Sequence, residues 1–92
     1  MEIQHQHSPS GGAFLAQEDG REVGEMTWRL LGGNMAIDHT WVDPSMRGQG
    51  LARQLVDAGV AFARVEGLKI QPICSYAVRV FAEDPSLADV AA

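Results

Sequence analysis

The feature of this sequence that most constrains its fold is a series of three patterns in the middle of the chain. Met35–Val42 is rich in apolar, β-branched and aromatic residues and predicts a central strand. Over Leu51–Glu66, apolar residues recur mostly at three- and four-residue steps, which predicts a helix with one buried face that Gly67 ends. Lys69–Cys74 predicts a second strand. A strand, a helix and a strand in this order predict a right-handed crossover between parallel strands.

Turn-forming residues divide the rest of the chain into shorter strand and helix patterns. The predicted strands are Glu2–His7, Ala13–Gln17 and Glu22–Leu31, and the predicted connections are a loop over Ser8–Gly12 and tight turns at Asp19-Gly20 and Gly32-Gly33-Asn34. After the crossover, Tyr76–Ala82 predicts a helix that Asp84-Pro85 ends, and Ser86–Ala92 predicts a short helix or a tail. The expected fold class is therefore α/β (α+β), with a mixed, mainly antiparallel sheet and helices packed on it.

The composition restricts both the architecture and the partners. A chain of 92 residues, of which 46% are hydrophobic and 21% charged, is long enough for one domain, 1–92, and too short for two. The sequence contains no transmembrane run or signal peptide, and its single cysteine, Cys74, agrees with a reducing compartment, so we expect a cytoplasmic protein. The formal net charge of -5 repels phosphate backbones and anionic lipids, so neither nucleic acid nor a membrane is an expected partner.

The turn between the central strand and the long helix, Arg47–Ala52, carries the clearest chemical signal. Its glycines remove the Cβ atoms that would keep a ligand away from the backbone, and the first N–H groups of the helix lack intrachain acceptors. Those groups and the helix dipole can bind a diphosphate, to which Arg47 and Arg53 can add charge-assisted hydrogen bonds. The spacing fits neither a P-loop nor the dinucleotide-binding fingerprint. The alternative is a purely structural glycine turn that eases entry into the helix.

The turn and three further segments resemble one known family. Arg47–Ala52 matches Gln/Arg-x-x-Gly-x-Gly/Ala, the pyrophosphate-binding pattern of GNAT acetyltransferases. Together with Phe14–Gly20, His39–Val42 and Gly67–Tyr76, it resembles the short YjdJ-type branch of that superfamily over nearly the whole chain. The resemblance implies a minimal GNAT fold with one splayed pair of parallel strands, and a domain that binds acetyl-CoA. One departure is that family members commonly end the last helix with His-Pro-Glu, whereas this chain has Asp84-Pro85-Ser86.

The resemblance also implies roles for residues around the splayed strands. The backbone of Trp41 and Val42 would pair with the pantetheine amides of the cofactor, and Tyr76 would lie near the sulfur or pack against the cofactor. Cys74 would lie close to the thioester. The residues that would hold the pyrophosphate are Arg47, Gly48, Gln49, Gly50, Leu51 and Ala52, with Arg53 beside them.

Two residues near the implied thioester position are candidates for catalysis. An imidazole titrates near neutrality, so His39 could accept the proton of the amine; alternatively it only hydrogen-bonds a neighbouring strand. Cys74 could attack the thioester, donate a proton to the departing thiolate, or simply pack as a small apolar residue. His5 and His7 have the spacing of metal ligands on a strand, but two ligands on a terminal segment rarely bind zinc, so we assign no metal.

The sequence supports three hypotheses for function, which a cofactor titration and an activity assay separate. The first is acetyl-CoA binding with N-acetyl transfer to an amine of a small molecule or a protein. The second is a non-catalytic module that binds or senses acyl-CoA. The third is a protein-interaction domain that needs no cofactor site. Titration with coenzyme A separates the third hypothesis from the others, and turnover with a panel of amines separates the first from the second.

Overall fold

One five-stranded sheet, with its strands arranged in chain order, forms the base of the molecule. The computed structural model describes all residues, 1–92. The strands are β1 (Glu2–Ser8), β2 (Gly11–Glu18), β3 (Arg21–Leu31), β4 (Asn34–Val42) and β5 (Ile70–Pro72). The helices are α1 (Leu51–Glu66) and α2 (Ser75–Glu83), and two 3-10 helices cover Pro44–Met46 and Pro85–Val90. β1 to β4 pair antiparallel, whereas β4 and β5 pair parallel.

The predicted crossover unit is confirmed, and with it the mixed, mainly antiparallel fold class. α1 has the bounds that its apolar periodicity predicts, and Gly67 caps its carboxyl end with φ 69°. The turn at Asp19-Gly20 also forms, with φ 51° and 78° at its two central residues. These elements were predictable because each depends on a local pattern of burial or on a backbone conformation that its own residues favour.

The predicted loop over Ser8–Gly12 forms only as a two-residue turn, so its predicted extent is wrong. Ser8 ends β1 and Gly11 begins β2, so only Pro9 and Ser10 connect the two strands. A Cβ atom at Gly11 would lie 2.6 Å from the carbonyl oxygen of Trp28, and one at Gly12 would lie 2.5 Å from that of Gln6. The two glycines therefore allow neighbouring strands to approach closely, which is a strand role that composition alone does not distinguish from a loop.

The carboxyl-terminal third also differs from its predicted bounds. Lys69–Cys74 was expected to be a strand throughout, but β5 contains only its central residues, Ile70–Pro72. The segment Ser86–Ala92 begins inside a 3-10 helix and ends with Ala91 bridged to Ile70, so it packs on the sheet edge beside β5.

The helices all pack on one face of the sheet. Buried residues of α1, α2 and the last 3-10 helix form one hydrophobic core with the inward side chains of the strands. Gly59 lets α1 approach the sheet, because a Cβ atom there would lie 2.8 Å from the terminal methyl group of Met26. No helix has both the length and the apolar character that crossing a bilayer requires.

A β-bulge in β4 decides which residues of that strand face the helices. The register between β3 and β4 shifts between Thr27 and Trp28, so Asp38 is an extra residue that has no partner in β3. The hydroxyl of Thr27 donates a hydrogen bond of 2.6 Å to the carboxylate of Asp38 and holds the bulge in place. Beyond it, Thr40 pairs with Met26 and faces the helices, whereas His39 lies on the opposite, open face.

Candidate functional site

β4 and β5 separate after a short paired region. Their pairing covers Met35 to Ile37 of β4 and then stops, although β4 continues to Val42. Pro72 ends the ladder because it has no N–H group, and the N–H groups of Ile73 and Cys74 both donate to the carbonyl oxygen of Ile37. The edge of β4 that faces β5 is therefore open beyond residue 37, which produces the splay that the family resemblance implies.

The turn Arg47–Gly50 brings the start of α1 to the end of this splay. Gly48 and Gly50 have φ values of 80° and 75°, a conformation that glycine adopts without steric cost. A Cβ atom at either position would meet no other atom within 4 Å, so both glycines border open space. Gly50 is the N-cap of α1 and no side chain caps the helix, so its first N–H groups, from Leu51 to Arg53, are available to a ligand.

The splay and the turn enclose one elongated cleft. Its larger part has a volume of about 500 Å³ and is lined by Thr40, Trp41, Val42, Arg47, Gly48, Ala52, Tyr76 and Arg79. A part of about 220 Å³ shares several of these walls and adds Met46, Gly50, Leu51 and Arg53. The structure thus brings together all the residues that the sequence assigned to the cofactor, except that Gln49 is exposed on the turn and lines neither part.

Arg53 differs from the other predicted phosphate ligands because two carboxylates already bind it. Its Nε atom lies 2.9 Å from Asp57 Oδ1, and its guanidinium also contacts Asp84. Hydrogen bonds to Asp57 and then to Asp84 hold the pKa of Arg53 above its usual range. The hydroxyl of Ser86 and then Arg53 lower the pKa of Asp84 to about 2. The Asp84-Pro85-Ser86 stretch therefore links the start of α1 to the end of α2.

The two catalytic candidates lie on opposite sides of β4. The sulfur of Cys74 is 3.4 Å from the hydroxyl of Thr40, on the face that carries the helices. His39 is on the open face, where its Nε2 atom is 3.6 Å from the carboxylate of Glu25. Only Cys74 is therefore in contact with a residue that lines the helix side of the cleft.

His5 and His7 lie on β1, at the edge of the sheet opposite β5, and belong to a cluster of aromatic rings. The imidazole of His5 stacks on Phe14 with ring centroids 3.9 Å apart, and its Nε2 atom accepts a hydrogen bond of 2.9 Å from the indole of Trp28. Burial, and then the neighbouring His7, lower the pKa of His5. The chain holds no group of three His, Cys, Asp or Glu side chains arranged to bind a metal ion.

Sequence reasoning missed three residues that line the cleft, Thr40, Met46 and Arg79. Thr40 was assigned no role because strict alternation along β4 does not reveal that the bulge turns it toward Cys74. Arg79 could have been found, because it follows Tyr76 by three residues in a helical pattern and therefore lies on the same side of α2. Its guanidinium carbon is 5.5 Å from the centroid of the Tyr76 ring.

Comparisons with known proteins agree with this geometry. Residues 13–90 match the family model of GCN5-related N-acetyl-transferases. A GCN5-like protein of Staphylococcus aureus is 31% identical, with a TM-score of 0.75 over 99% of this chain and 87% of its own. The ribosomal-protein-alanine N-acetyltransferase of Brucella melitensis is 24% identical, with a TM-score of 0.62 over 70% of this chain and 52% of its own. No curated protein matches the sequence.

The extent of these matches differs between the solved structures. An acetyltransferase of Vibrio fischeri is 21% identical, with a TM-score of 0.62, and the match covers 71% of this chain and 62% of that protein. This chain therefore spans less than two thirds of the Brucella and Vibrio proteins, whereas it spans most of the Staphylococcus protein. Because the family model matches residues 13–90, well over half of the chain, this chain belongs to the GCN5-related N-acetyltransferase family.

Proposed function

We propose that this chain binds acetyl-CoA in the cleft between β4 and β5 and transfers its acetyl group to an amine of a small molecule or a protein. The observation that carries the proposal is the junction of an open strand edge with an uncapped helix N-terminus. A strand edge can pair with the amides of an extended pantetheine arm, and free N–H groups can bind a diphosphate. Both features lie along one cleft, in the order in which coenzyme A carries these groups.

The residues present fit this cofactor. The backbone of Trp41 and Val42 would pair with the pantetheine, and Arg47, Gly48, Gly50, Leu51 and Ala52 would surround the pyrophosphate. The absence of Cβ atoms at the two glycines leaves room for phosphate oxygens against the backbone. The thioester of the cofactor supplies the activated acetyl group. A Bacillus anthracis protein of the same fold, 17% identical with a TM-score of 0.67, was solved in complex with acetyl coenzyme A, and its match covers 83% of this chain and 46% of its own.

For the chemistry, we propose that His39 and Cys74 divide the proton transfers. His39, beside Glu25, would accept the proton that the amine loses when its nitrogen bonds to the acetyl carbon. The thiol of Cys74, at the other side of β4, would supply a proton to the departing sulfur. In the covalent alternative, the sulfur of Cys74 would bond to the acetyl carbon as the bond to the cofactor's sulfur breaks, and coenzyme A would leave as the thiol with the proton that Cys74 loses. The amine would then bond to the acetyl carbon, and the proton that it loses would restore the thiol of Cys74.

The proposed acceptor class and compartment are supported by two solved structures and by the single cysteine. The Brucella protein is named for an alanine of a ribosomal protein, which agrees with a protein amine, and an acetyltransferase from soil metagenomic DNA was solved with the aminoglycoside sisomicin. Cys74 is a free cysteine, which agrees with our proposal of a cytoplasmic location.

A thermal-shift titration with acetyl-CoA tests the binding claim. At a ligand concentration about a hundredfold above Kd, linkage stabilises the fold by about 2.7 kcal/mol, which raises Tm by more than about 10 °C for a domain of this size. Adenosine and pantetheine, each of which lacks the pyrophosphate, should shift Tm much less. An unchanged Tm at millimolar acetyl-CoA would contradict the proposal. Binding without turnover of any amine in a broad panel would instead favour the non-catalytic acyl-CoA module.

A further inference from the structure

Four of the six arginine side chains of this chain form ion pairs with acidic side chains, and the single lysine donates a hydrogen bond to a backbone carbonyl oxygen. Their contacts are Arg21 with Asp43, Arg29 with Asp38, Arg53 with Asp57 and Asp84, Arg64 with Asp89, and Lys69 with the carbonyl oxygen of Asp89. Arg47 and Arg79 are the two arginines that have no carboxylate within ion-pair distance. In a chain with a formal net charge of -5, carboxylate partners are abundant, so two guanidinium groups without such a partner are unexpected.

Both unpaired guanidinium groups line the same cleft. Arg47 belongs to the turn before α1, and Arg79 belongs to α2 on another wall of the cleft. Arg79 also lines an adjoining cavity of about 400 Å³, together with Arg53 and Glu83. Two like charges that face one cleft repel each other, and a bound anion would offset that repulsion.

The position of Arg79 on α2 is supported by its neighbour on the helix. Its guanidinium carbon lies 5.5 Å from the centroid of the Tyr76 ring, a separation at which a cation is attracted to the ring face. Tyr76 itself lines both parts of the cleft and the adjoining cavity. The aromatic ring therefore restrains the guanidinium beside the cleft without neutralising its charge.

The turn and Arg79 offer two separate anion-binding groups, and coenzyme A carries two separate phosphate groups. The N–H groups of Leu51 to Arg53 and the guanidinium of Arg47 can bind the pyrophosphate, which leaves the phosphate on the ribose without a partner. We propose that Arg79 binds this 3′-phosphate and thereby makes the cleft selective for coenzyme A over dephospho-coenzyme A. This inference rests on the proposed function, because it assumes that the cofactor occupies the cleft.

Calorimetric titration with coenzyme A and with dephospho-coenzyme A tests the assignment. The parent protein should bind coenzyme A about ten- to a hundredfold more tightly, which is the usual effect of one charge-assisted hydrogen-bonded contact. Arg79→Gln should lose that preference and bind dephospho-coenzyme A as the parent does. Arg79→Lys, which keeps the charge, should retain part of the preference. Arg29→Gln is the matched control: it removes the same charge from the open face of the sheet and should keep the full preference.

Three results would overturn the inference in different ways. If Arg79→Gln binds both ligands as the parent does, Arg79 does not contact the cofactor. If the variant loses the same factor for both ligands, Arg79 acts on the pyrophosphate or on the shape of α2, and the 3′-phosphate assignment is wrong. If the parent protein binds neither ligand, the proposed function itself fails, and that outcome is visible before any variant is measured.

Discussion

Among individual residues, Cys74 and His39 have different environments that lead to different expectations. The thiol of Cys74 contacts only one polar side chain, that of Thr40. Cys74 is also the N-cap residue of α2, but its side chain makes no capping hydrogen bond. His39 is on the open face with Glu25 nearby. Because β4 separates the two, the loss of one side chain does not change the contacts of the other. Their contributions can therefore be measured one at a time.

Cys74 allows a direct test of covalent against direct transfer. If its sulfur accepts the acetyl group, incubation with acetyl-CoA and no amine should add one acetyl group to Cys74, and Cys74→Ser should lose that mark because a hydroxyl is a poor nucleophile at neutral pH. If the thiol only donates a proton or packs, no mark should form. Acid-quenched peptide mass spectrometry is the measurement, because a thioester is labile at higher pH.

The matched variant for this test is Cys74→Ala. It removes the contact with Thr40 and a partly buried sulfur, so it should lower the free energy of unfolding by no more than a few kcal/mol. Cofactor binding measured by thermal shift should be retained in both variants. If Cys74→Ala turns over amines at the parental rate, the covalent pathway is excluded and His39 becomes the better catalytic candidate.

The sequence revealed the residues of the site unevenly, according to how local their roles are. The turn glycines were predictable because a positive φ and an open backbone are properties of the turn itself. The pairing of Arg53 with Asp84 was not, because 31 positions separate them in the chain and only the packing of α1 against α2 brings them together. The face of Thr40 was also hidden, since one extra residue at Asp38 reverses the alternation of β4.

Among the elements, the turn before α1 is the one on which the proposed function depends most. Its conformation requires glycine at two positions, and its position at the N-terminus of a long, well-packed helix fixes the direction of the free N–H groups.

The proposed function depends equally on the short length of β5, because a longer pairing with β4 would close the strand edge. The sequence prediction of a strand over the whole of Lys69–Cys74 followed the apolar pattern, which continues past Pro72. The hydrogen-bonded pairing with β4 nevertheless stops at that proline.

Two substitutions in the turn should weaken coenzyme A binding to different extents. Arg47→Ala removes one charged contact and should weaken binding by about ten- to a hundredfold. Gly50→Val should weaken it more, because a β-branched residue is strongly disfavoured at φ 75° and its side chain would occupy the space beside the free N–H groups. Calorimetric titration of each variant is the measurement.

A control for backbone strain is available in another turn. Gly33 has φ 82° between β3 and β4, and a Cβ atom there would also meet no atom within 4 Å. Gly33→Val should therefore cost comparable stability but leave coenzyme A affinity unchanged. If Gly50→Val remains folded and binds like the parent, the phosphate site lies elsewhere in the molecule.

In the whole molecule, helices cover one face of the sheet and the other face is open, so the cleft is held together mainly through the helix layer. Arg53, Asp57, Asp84 and Ser86 connect α1 with the end of α2, and Arg64 connects α1 with Asp89 in the last 3-10 helix. These contacts all involve carboxylates. The stability of the helix layer should therefore depend on pH.

The direction of that dependence follows from the pKa values. Hydrogen bonds from Ser45, Ser86 and Arg64 are the main causes that lower the pKa values of Asp43, Asp84 and Asp89 in the fold. The folded state then binds fewer protons than the unfolded chain, so stability rises with pH through this range. For Asp84, the contribution is complete above about pH 4 and is lost as the pH falls toward about 2. His5 acts in the same direction, because its lowered pKa gives a contribution that is lost as the pH falls below 6.5.

We therefore expect Tm to fall in two stages on acidification, a small decrease below about pH 6.5 and a steeper one below about pH 4. His5→Gln should remove most of the first stage, because an amide can still accept the hydrogen bond from Trp28 but does not titrate. Asp84→Asn should lower Tm at neutral pH and flatten the second stage, because it keeps an acceptor for Ser86 but loses the charge that binds Arg53.

Glu22→Gln, at an exposed position without an ion pair, is the control and should follow the parent curve. Circular dichroism melts from pH 7 to pH 2 measure both stages, and an Asp84→Asn curve parallel to that of the parent below pH 4 would show that this link does not contribute.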